Sequence, residues 1–160
     1  MKQINPLTIG TQVPNTELLN QDQQPVKLSD YLGQKVLLYF YPKAMTPGCT
    51  TQACGLRDSM AQYHAANIKV LGVSPDPATR LARFIEKEGL NFDLLADPDN
   101  ELANAFGVWG EKKFMGKTYE GIHRMSFLID EQGKVLHCIT KVKTKSHHQD
   151  VLDLFSSLTR

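Results

Sequence analysis

Short apolar runs alternate with amphipathic stretches along the first half of the chain. Residues 36–41 and 68–74 are nearly continuous in apolar and aromatic side chains, which predicts two strands buried on both faces. Between them, apolar residues recur at helical spacing from Cys49 to Tyr63, which predicts a helix that ends near Ala66. Strand, helix and strand in this order predict a βαβ unit with parallel strands and a right-handed crossover.

The segment before the first of these strands is polar and rich in turn residues. Residues 1–15 form a polar lead-in, and the stretches 16–19 and 26–28 predict a short hairpin. Ser29 is then expected to cap one turn of helix that ends at Gly33. The chain therefore opens with a small β-hairpin ahead of the βαβ unit.

The second half of the chain continues the alternation of helices and strands. Proline, aspartate, asparagine and serine stand where helices are expected to begin, and Gly89 closes one of them. The predicted elements are a helix over 76–89, a strand over 92–96, a helix after the cap at 97–100, a hairpin formed by 125–130 and 134–140, and a helix after Ser146.

About 16 residues after Gly107 interrupt this order, because they are rich in lysine and glycine and show no clear period. A loop of this length in a compact domain is usually functional or mobile. The large apolar side chains on it are expected to pack on the core or at its rim rather than to line a substrate-binding site: Trp109, Phe114, Met115 and Tyr119.

The element order predicts an α/β layer architecture with a mixed β-sheet flanked by helices and with an N-terminal β-hairpin. This is the layout of a thioredoxin-like fold. No repeat, low-complexity tract or linker divides the sequence, so residues 1–160 are expected to form a single domain. In such sheets the active groups collect at the carboxyl ends of the strands, and Cys49 follows one of those ends.

Composition narrows the functional classes. With 41% apolar residues, 22% charged residues and a net charge of +1, the chain has no broad electrostatic attraction for nucleic acid or membrane, and neither is expected as a partner. The N-terminal residues lack the pattern of a signal or transit peptide. Three cysteines suit a reducing compartment better than a disulfide framework, so the expected location is cytoplasmic.

The stretch Phe40 to Arg57, FYPKAMTPGCTTQACGLR, carries the candidate chemistry. Pro42 ends a strand, and Thr46-Pro47-Gly48 predicts a helix start, so Cys49 falls in the first helical turn. Unpaired backbone N–H groups and the positive end of the helix dipole favour a thiolate over a thiol there.

A second cysteine, Cys54, lies five residues further along the same helix. In an intact helix its Cα lies roughly 8.6 Å from that of Cys49, beyond the ~7 Å limit for a disulfide. If the two cysteines form a disulfide, at least one turn of this helix must unwind.

Several alternatives compete with a reactive cysteine. Both cysteines could be inert packing residues, and zinc is less favoured because no second ligand pair stands nearby. A thioredoxin-type dithiol enzyme requires a CxxC pair, whereas the spacing here is CxxxxC. A non-catalytic thioredoxin-fold binding module or chaperone is the remaining alternative, and it should keep its activity in a Cys49→Ser variant.

The third cysteine and the adjacent pair of histidines are expected to have structural positions and no chemical role. Cys138, in a predicted strand, is expected to be a buried packing residue. His147 and His148 follow a helix cap and are expected to face solvent and point apart, and a metal role for them is disfavoured. His123, beside Arg124, is assigned no role.

The spacing Pro42-x-x-x-Thr46-x-x-Cys49 matches the PxxxTxxC signature of the peroxiredoxins, and the longer string TPGCTTQACGLR resembles the bacterioferritin-comigratory-protein class. The similarity extends over nearly the whole chain. The resemblance implies a thiol-dependent peroxidase that reduces hydrogen peroxide and organic hydroperoxides without metal, haem or flavin. It is a specific match, because three spaced positions and a longer string agree together.

Carried over by position, the resemblance makes Cys49 the peroxidatic cysteine, with Thr46, Arg124 and Pro42 completing the site. Cys54 matches the resolving position of those members that have one on the same helix, which implies a Cys49–Cys54 disulfide. Thioredoxin or glutaredoxin is then the implied reductant. A monomer is expected, because a resolving cysteine on the same helix needs no partner subunit.

One position departs from the pattern of the peroxiredoxins. Many members carry Glu three residues after the first cysteine, where this chain has Gln52. The change removes one charge near the site.

Overall fold

The computed structural model describes residues 2–158, so Met1, Thr159 and Arg160, which the expected 1–160 domain includes, lie outside the described residues. Nine strands and six helical segments follow one another within that span. In chain order they are β1 (Leu18–Asn20), β2 (Pro25–Val26), a 3-10 helix (Leu28–Tyr31), β3 (Lys35–Phe40), α1 (Pro47–Asp58), α2 (Met60–Ala65), β4 (Ile68–Ser74), α3 (Ala78–Glu88), β5 (Asp93–Ala96), α4 (Glu101–Ala105), β6 (Trp109–Phe114), β7 (Lys117–Ile122), β8 (Met125–Ile129), β9 (Val135–Ile139) and α5 (His147–Leu158).

Seven strands form one mixed sheet in the order β2, β1, β5, β4, β3, β8, β9. The pairs β3–β4 and β4–β5 are parallel, while β1–β2, β1–β5, β3–β8 and β8–β9 are antiparallel. The predicted βαβ unit, the N-terminal hairpin and the late antiparallel hairpin are therefore confirmed. So is the thioredoxin-like layout of a mixed sheet between helices.

Alternate side chains of β3 enter two separate cores. Leu37 and Tyr39 pack with residues of α1, α2, α3 and α5, whereas Leu38 and Phe40 pack on the opposite face with Phe106 of the turn after α4 and with other strands. Because both faces are covered, β3 is apolar at nearly every position. The strand that leads to the candidate site is thus enclosed on both faces.

The cysteine helix is shorter than predicted. It ends at Asp58, and Ser59, with φ −100° and ψ 5°, separates it from α2. Leu56, Met60 and Tyr63 are still buried on one side. Since the apolar stripe continues across the interruption, the hydrophobic period could not reveal it. The predicted turn at 29–33 likewise begins earlier, as a 3-10 helix at Leu28.

The predicted loop after Gly107 is wrong, because these residues form the antiparallel hairpin β6–β7. Met115 and Gly116 connect the strands with φ values of 50° and 77°, the left-handed pair that a two-residue hairpin turn requires. Trp109 packs against the core as expected. The packing prediction is wrong for three side chains that are 65%, 86% and 43% exposed: Phe114, Met115 and Tyr119.

The N-terminal lead-in is tied to the edge of the fold. The Asn5 N–H donates to the carbonyl oxygen of Gly107 at 2.8 Å, and the Glu111 N–H donates to that of Lys2 at 2.7 Å. A Cβ on Gly107 would lie 1.9 Å from the Asn5 carbonyl oxygen, so this crossing requires glycine there. Within residues 2–158, no helix combines the length and the apolar character that crossing a bilayer demands.

Candidate active site

The loop between β3 and α1 is fastened to the neighbouring strand and helix. The Ala44 N–H donates to Asp76 Oδ2 at 2.7 Å, and Arg80 Nη2 donates to the Ala44 carbonyl oxygen at 2.9 Å. Asp76 is buried, accepts from Ser74 Oγ at 2.8 Å, and pairs with Arg80. This clamp fixes the backbone just before α1, where Met45 has the uncommon φ of 65°.

Cys49 occupies the first turn of α1, as the sequence predicted. Thr46 is the residue before the helix, Pro47 begins it, and the Thr50 N–H makes an early helical bond to the Thr46 carbonyl oxygen at 2.9 Å. The Cys49 side chain is only 2% exposed. A reactant must therefore be small, or must present a narrow reactive end, to reach the sulfur.

The Thr46 side chain does not cap α1, contrary to expectation. Its hydroxyl instead donates to the Lys43 carbonyl oxygen at 2.8 Å. With this donor in use, Thr46 has no hydroxyl proton left to donate to Cys49 in this conformation, although its oxygen lone pairs stay available to accept. Pro42, half-buried, has no N–H to continue the strand pairing beyond β3.

Arg124 lies beside Cys49 rather than on the solvated surface. Since Phe40 pairs with Met125, the residue before β8 is brought next to the end of β3. Arg124 Nη2 donates to Cys49 Sγ at 3.3 Å. A Cβ on Gly48 would lie 3.3 Å from the same nitrogen, tighter than an ordinary contact, so the guanidinium reaches the sulfur through space that glycine leaves open.

A chain of buried polar groups behind Arg124 was missed by sequence reasoning. Arg124 Nη1 donates to Gln52 Oε1 at 2.6 Å, and Gln52 Nε2 lies 3.2 Å from His147 Nδ1. His147 Nε2 lies 2.7 Å from Ser126 Oγ. The expectation that His147 faces solvent is wrong, since it is 1% exposed.

One sequence signal could have revealed part of this series of hydrogen-bonded side chains. The buried residues of α1 are Cys49, Gln52, Ala53 and Leu56, which recur at the spacing of one helical face. A polar residue within that apolar face requires an internal partner. The partner itself could not be read from local pattern, because His147 is 95 residues away.

Two buried tyrosine side chains pack with Cys49 in the same core. These are Tyr39 and Tyr41, and burial raises the pKa of both hydroxyls, so both stay neutral. Burial also lowers the pKa of His147 to about 4, against the partial opposition of Asp150. Arg124 is thus the cation in direct contact with Cys49.

Cys54 stands in a different environment on the same helix. It is half-buried, and its Sγ lies 3.7 Å from Glu88 Oε1 at the end of α3. Burial is the main reason that its pKa is raised, and Glu88 adds to the effect while Arg57 opposes it. Both cysteines are free thiols here, so the structure does not bring Cys49 and Cys54 together.

The other predicted residues fall outside the group around Cys49. Cys138, half-buried against the second core, has its pKa raised to about 11 by burial. The Nε2 of His123 lies 2.8 Å from the Glu111 carbonyl oxygen, a bond at the base of the β6–β7 hairpin. Lys112 lies in the same hairpin, and its pKa is lowered by burial and by Arg124. This end of the β6–β7 hairpin therefore borders the site.

Metal chemistry finds no support in the side-chain arrangement. Over the part of the chain that the structure describes, no group of three or more His, Cys, Asp or Glu residues is placed to hold an ion. What the site offers is one buried sulfur in a helix first turn, with a guanidinium against it. Such a sulfur can act as a nucleophile toward a small electrophile.

Comparison with known sequences places these features in context. The sequence model described as the AhpC/TSA family matches residues 9–138. The chain is 59% identical over 155 residues to the putative peroxiredoxin bcp of Haemophilus influenzae, covering 97% of this chain and 100% of that protein. It is 57% identical over 150 residues to peroxiredoxin Bcp of Escherichia coli K12, covering 94% of this chain and 96% of that protein.

Solved structures give the same picture at lower identity. A study of the alkyl peroxide reduction activity of the Xanthomonas campestris bacterioferritin comigratory protein provides a structure with a TM-score of 0.89 and 32% identity, covering 96% of this chain and 98% of that one. A cysteine-to-serine mutant of PrxQ from Xylella fastidiosa superposes with a TM-score of 0.92 and 32% identity, covering 98% of this chain and 99% of that one.

Proposed function

Since the chain belongs to the AhpC/TSA family and is a peroxiredoxin, a thiol peroxidase of the bacterioferritin-comigratory-protein class, we propose that Cys49 is its peroxidatic cysteine. The Cys49 thiolate attacks one oxygen of the hydroperoxide along the O–O axis. An S–O bond forms as the O–O bond breaks, and the departing oxygen leaves as water or an alcohol after it gains a proton. Cys49 is oxidised to a sulfenic acid.

The observation that carries this proposal is the 3.3 Å contact between Arg124 Nη2 and Cys49 Sγ in the first turn of α1. A cation against the sulfur favours the thiolate, and a fixed donor is already present where negative charge builds on the leaving oxygen. Unpaired backbone N–H groups of the first turn add further donors. The Thr46 lone pairs accept from the hydroperoxide proton, and Pro42 shapes the pocket.

We propose hydrogen peroxide and organic hydroperoxides as the substrate class. The 2% exposure of Cys49 suits a narrow O–O group at the end of a larger molecule as well as hydrogen peroxide itself. The Xanthomonas campestris relative, studied for alkyl peroxide reduction, supports including the organic class.

For the second half of the cycle we propose Cys54 as the resolving cysteine. Its sulfur attacks the Cys49 sulfenic acid, the S–O bond breaks, water leaves, and a Cys49–Cys54 disulfide forms. Because Cys49 points toward Arg124 and Cys54 toward Glu88, the first turns of α1 must unwind before the sulfurs can meet. Thioredoxin or a similar dithiol such as glutaredoxin then restores both thiols by exchange.

Peptide mapping tests both halves. Reduced protein is treated with one equivalent of hydrogen peroxide, quenched with a thiol-blocking reagent, digested without reduction and analysed by mass spectrometry. We expect a linked Cys49–Cys54 peptide that is absent from Cys49→Ser and still present in the matched control Cys138→Ser. Cys49 left unreacted would overturn the peroxidatic role. Sulfinic acid on Cys49 with Cys54 still free would overturn only the resolving role.

We also propose that the protein acts as a single-domain monomer in the cytoplasm. A disulfide between two cysteines of one helix requires no second subunit. Three free cysteines suit a reducing compartment. Light scattering on the reduced and the oxidised protein should give the mass of one chain in both states. A dimer in either state would contradict the monomer.

A further inference from the structure

The guanidinium that faces Cys49 is supported from behind by three buried polar side chains. Gln52, His147 and Ser126 are 0%, 1% and 0% exposed, and they follow Arg124 in a continuous series of hydrogen bonds of 2.6, 3.2 and 2.7 Å. They come from α1, from the start of α5 and from β8. The series therefore ties three separate elements to the residue that contacts the sulfur.

The donors and acceptors in this series can be ordered from Arg124 outward. Arginine only donates, so Gln52 presents its oxygen to Arg124 and its amide nitrogen to His147. The amide nitrogen donates, so His147 Nδ1 accepts, and the ring proton stands on Nε2 and donates to Ser126 Oγ. Because burial keeps His147 uncharged at neutral pH, each link has a single orientation.

We propose that His147 is a positioning residue for the peroxidase reaction: through its Nδ1 acceptor it fixes the Gln52 amide, which in turn holds the Arg124 guanidinium against Cys49. Without that acceptor the amide NH₂ group of Gln52 loses its buried partner. A flipped amide would then point the NH₂ group at Arg124, donor against donor. This inference rests on the roles proposed above for Cys49 and Arg124.

Two substitutions that introduce an amide side chain can distinguish the roles of the two ring nitrogens of His147. In His147→Asn the side-chain oxygen can stand where Nδ1 stands, so the acceptor for Gln52 is kept and the bond to Ser126 is lost. In His147→Gln an N–H can reach Ser126, but nothing replaces Nδ1. His148→Ala is the matched control, since it alters the start of α5 next to Gly55 without touching the series.

The first measurement is the second-order rate constant for hydrogen peroxide in single turnovers of the reduced protein. We expect His147→Gln to slow the reaction about tenfold, less than the ~100-fold typical for removal of a direct donor. His147→Asn and His148→Ala should stay within about twofold of the parent. Equal effects of Asn and Gln, or no effect of Gln, would overturn the proposal.

A double-mutant cycle separates this inference from the proposed function. Arg124→Ala alone should slow the reaction, and adding His147→Gln should slow it no further, because His147 acts through Arg124. Additive losses would show another route and overturn the positioning role. A slow Arg124→Ala with a normal His147→Gln would leave the proposed function intact. A normal Arg124→Ala would remove the role of Arg124 itself.

Thermal unfolding of each variant shows whether a slow reaction reflects a folding defect. If His147→Gln does not fold, Gln52→Met approaches the same series from its other end, because it removes the amide that joins His147 to Arg124 and keeps a side chain of similar length. We expect Gln52→Met to slow the reaction about tenfold. A normal rate in folded Gln52→Met, with His147→Gln unfolded, would overturn the series as a positioning device.

Discussion

Gly48 leaves just enough space for the Arg124 guanidinium to reach the sulfur. In Gly48→Ala the new methyl would stand 3.3 Å from Nη2, so the guanidinium must move by a few tenths of an ångström. We expect the rate with hydrogen peroxide to fall about tenfold, because small displacements of a positioned group are costly to a reaction. Alanine also favours the helix by up to ~1 kcal/mol, so the melting temperature should not fall with the rate.

Thr51→Ala is the matched control for this change, since Thr51 lies on the same helix and is exposed. It should leave the rate unchanged. A Gly48→Ala protein as fast as the parent would show that the tight approach of Arg124 has no effect on the reaction.

His147 makes the stability of the fold depend on pH. Its pKa is lowered to about 4 by burial, with His148 and Arg124 lowering it further and Asp150 opposing them, while an unfolded histidine titrates near ~6.5. The unfolded chain thus binds the proton more readily, so this contribution is full above pH ~6.5 and is lost as the pH falls toward about 4. The loss is on the order of 3 kcal/mol.

Urea unfolding of the parent and of His147→Asn at several pH values measures that contribution. The free energy of unfolding of the parent should fall more steeply between pH ~6.5 and ~4 than that of the variant. Parallel curves would mean that His147 is not held neutral by the fold.

At this scale the sequence identified the residues that stand out by type and missed those that depend on partners. Cys49 stood out by its place in the first turn of a helix, whereas Arg124 was singled out only through the resemblance to the peroxiredoxins; the structure brings the two within 3.3 Å. His147 was assigned to solvent because neighbours in sequence cannot show that Gln52 and Ser126, 95 and 21 residues away, come to meet it. The partner of a hydroxyl is equally hard to predict, since nothing in the local sequence indicates that the Thr46 hydroxyl donates to the Lys43 carbonyl oxygen.

At the scale of elements, α1 must serve two opposed purposes in the proposed cycle. Folded, its first turn places Cys49 against Arg124, and its next turn directs Cys54 toward Glu88. The disulfide requires the same turns to open. We expect amide exchange protection to disappear across residues 47–58 when the disulfide forms, while β3 keeps its protection.

Hydrogen exchange detected by mass spectrometry on the reduced and oxidised protein measures this directly. Cys54→Ser, treated with the same amount of peroxide, serves as the control because it cannot close the disulfide and should keep α1 protected. Unchanged protection across 47–58 in the oxidised parent would contradict the unwinding.

The elements that sequence reasoning missed share a physical cause. Strand β7 is exposed at four successive positions, so it lacks the alternation that marks a strand packed on one side. Its turn uses Met115 at a left-handed position where asparagine or glycine would have given a clear signal. The strands of the main sheet were predicted because burial on one or both faces imposes a pattern on them.

For the molecule as a whole, the proposed disulfide should lower stability. Closing so short a loop restricts the unfolded chain by only about 2 kcal/mol. Opening the start of α1 would expose the buried face that includes Cys49, Gln52, Ala53 and Leu56, and would break the hydrogen bonds to Arg124 and His147. We expect the oxidised protein to melt about 5 °C below the reduced protein.

Calorimetry on both redox states tests this expectation, with Cys54→Ser as the control that shows no shift after the same treatment. A higher melting temperature for the oxidised parent would mean that the disulfide forms without loss of the α1 contacts. The clamp of Asp76 and Arg80 on Ala44 is expected to confine the opening to α1 and leave the sheet intact.

The neutral amide of Gln52 affects the electrostatic balance around Arg124 once the peroxide has been reduced. Among residues 2–158, no carboxylate lies within ion-pair distance of Arg124, so in the proposed cycle a Cys49 thiolate is its nearest counter-charge. Conversion of that thiolate to a sulfenic acid would remove the counter-charge and leave a partly buried cation alone, which is unfavourable. On this proposal, oxidation weakens the attraction that holds the helix start, and the chemical step itself favours the opening that disulfide formation needs.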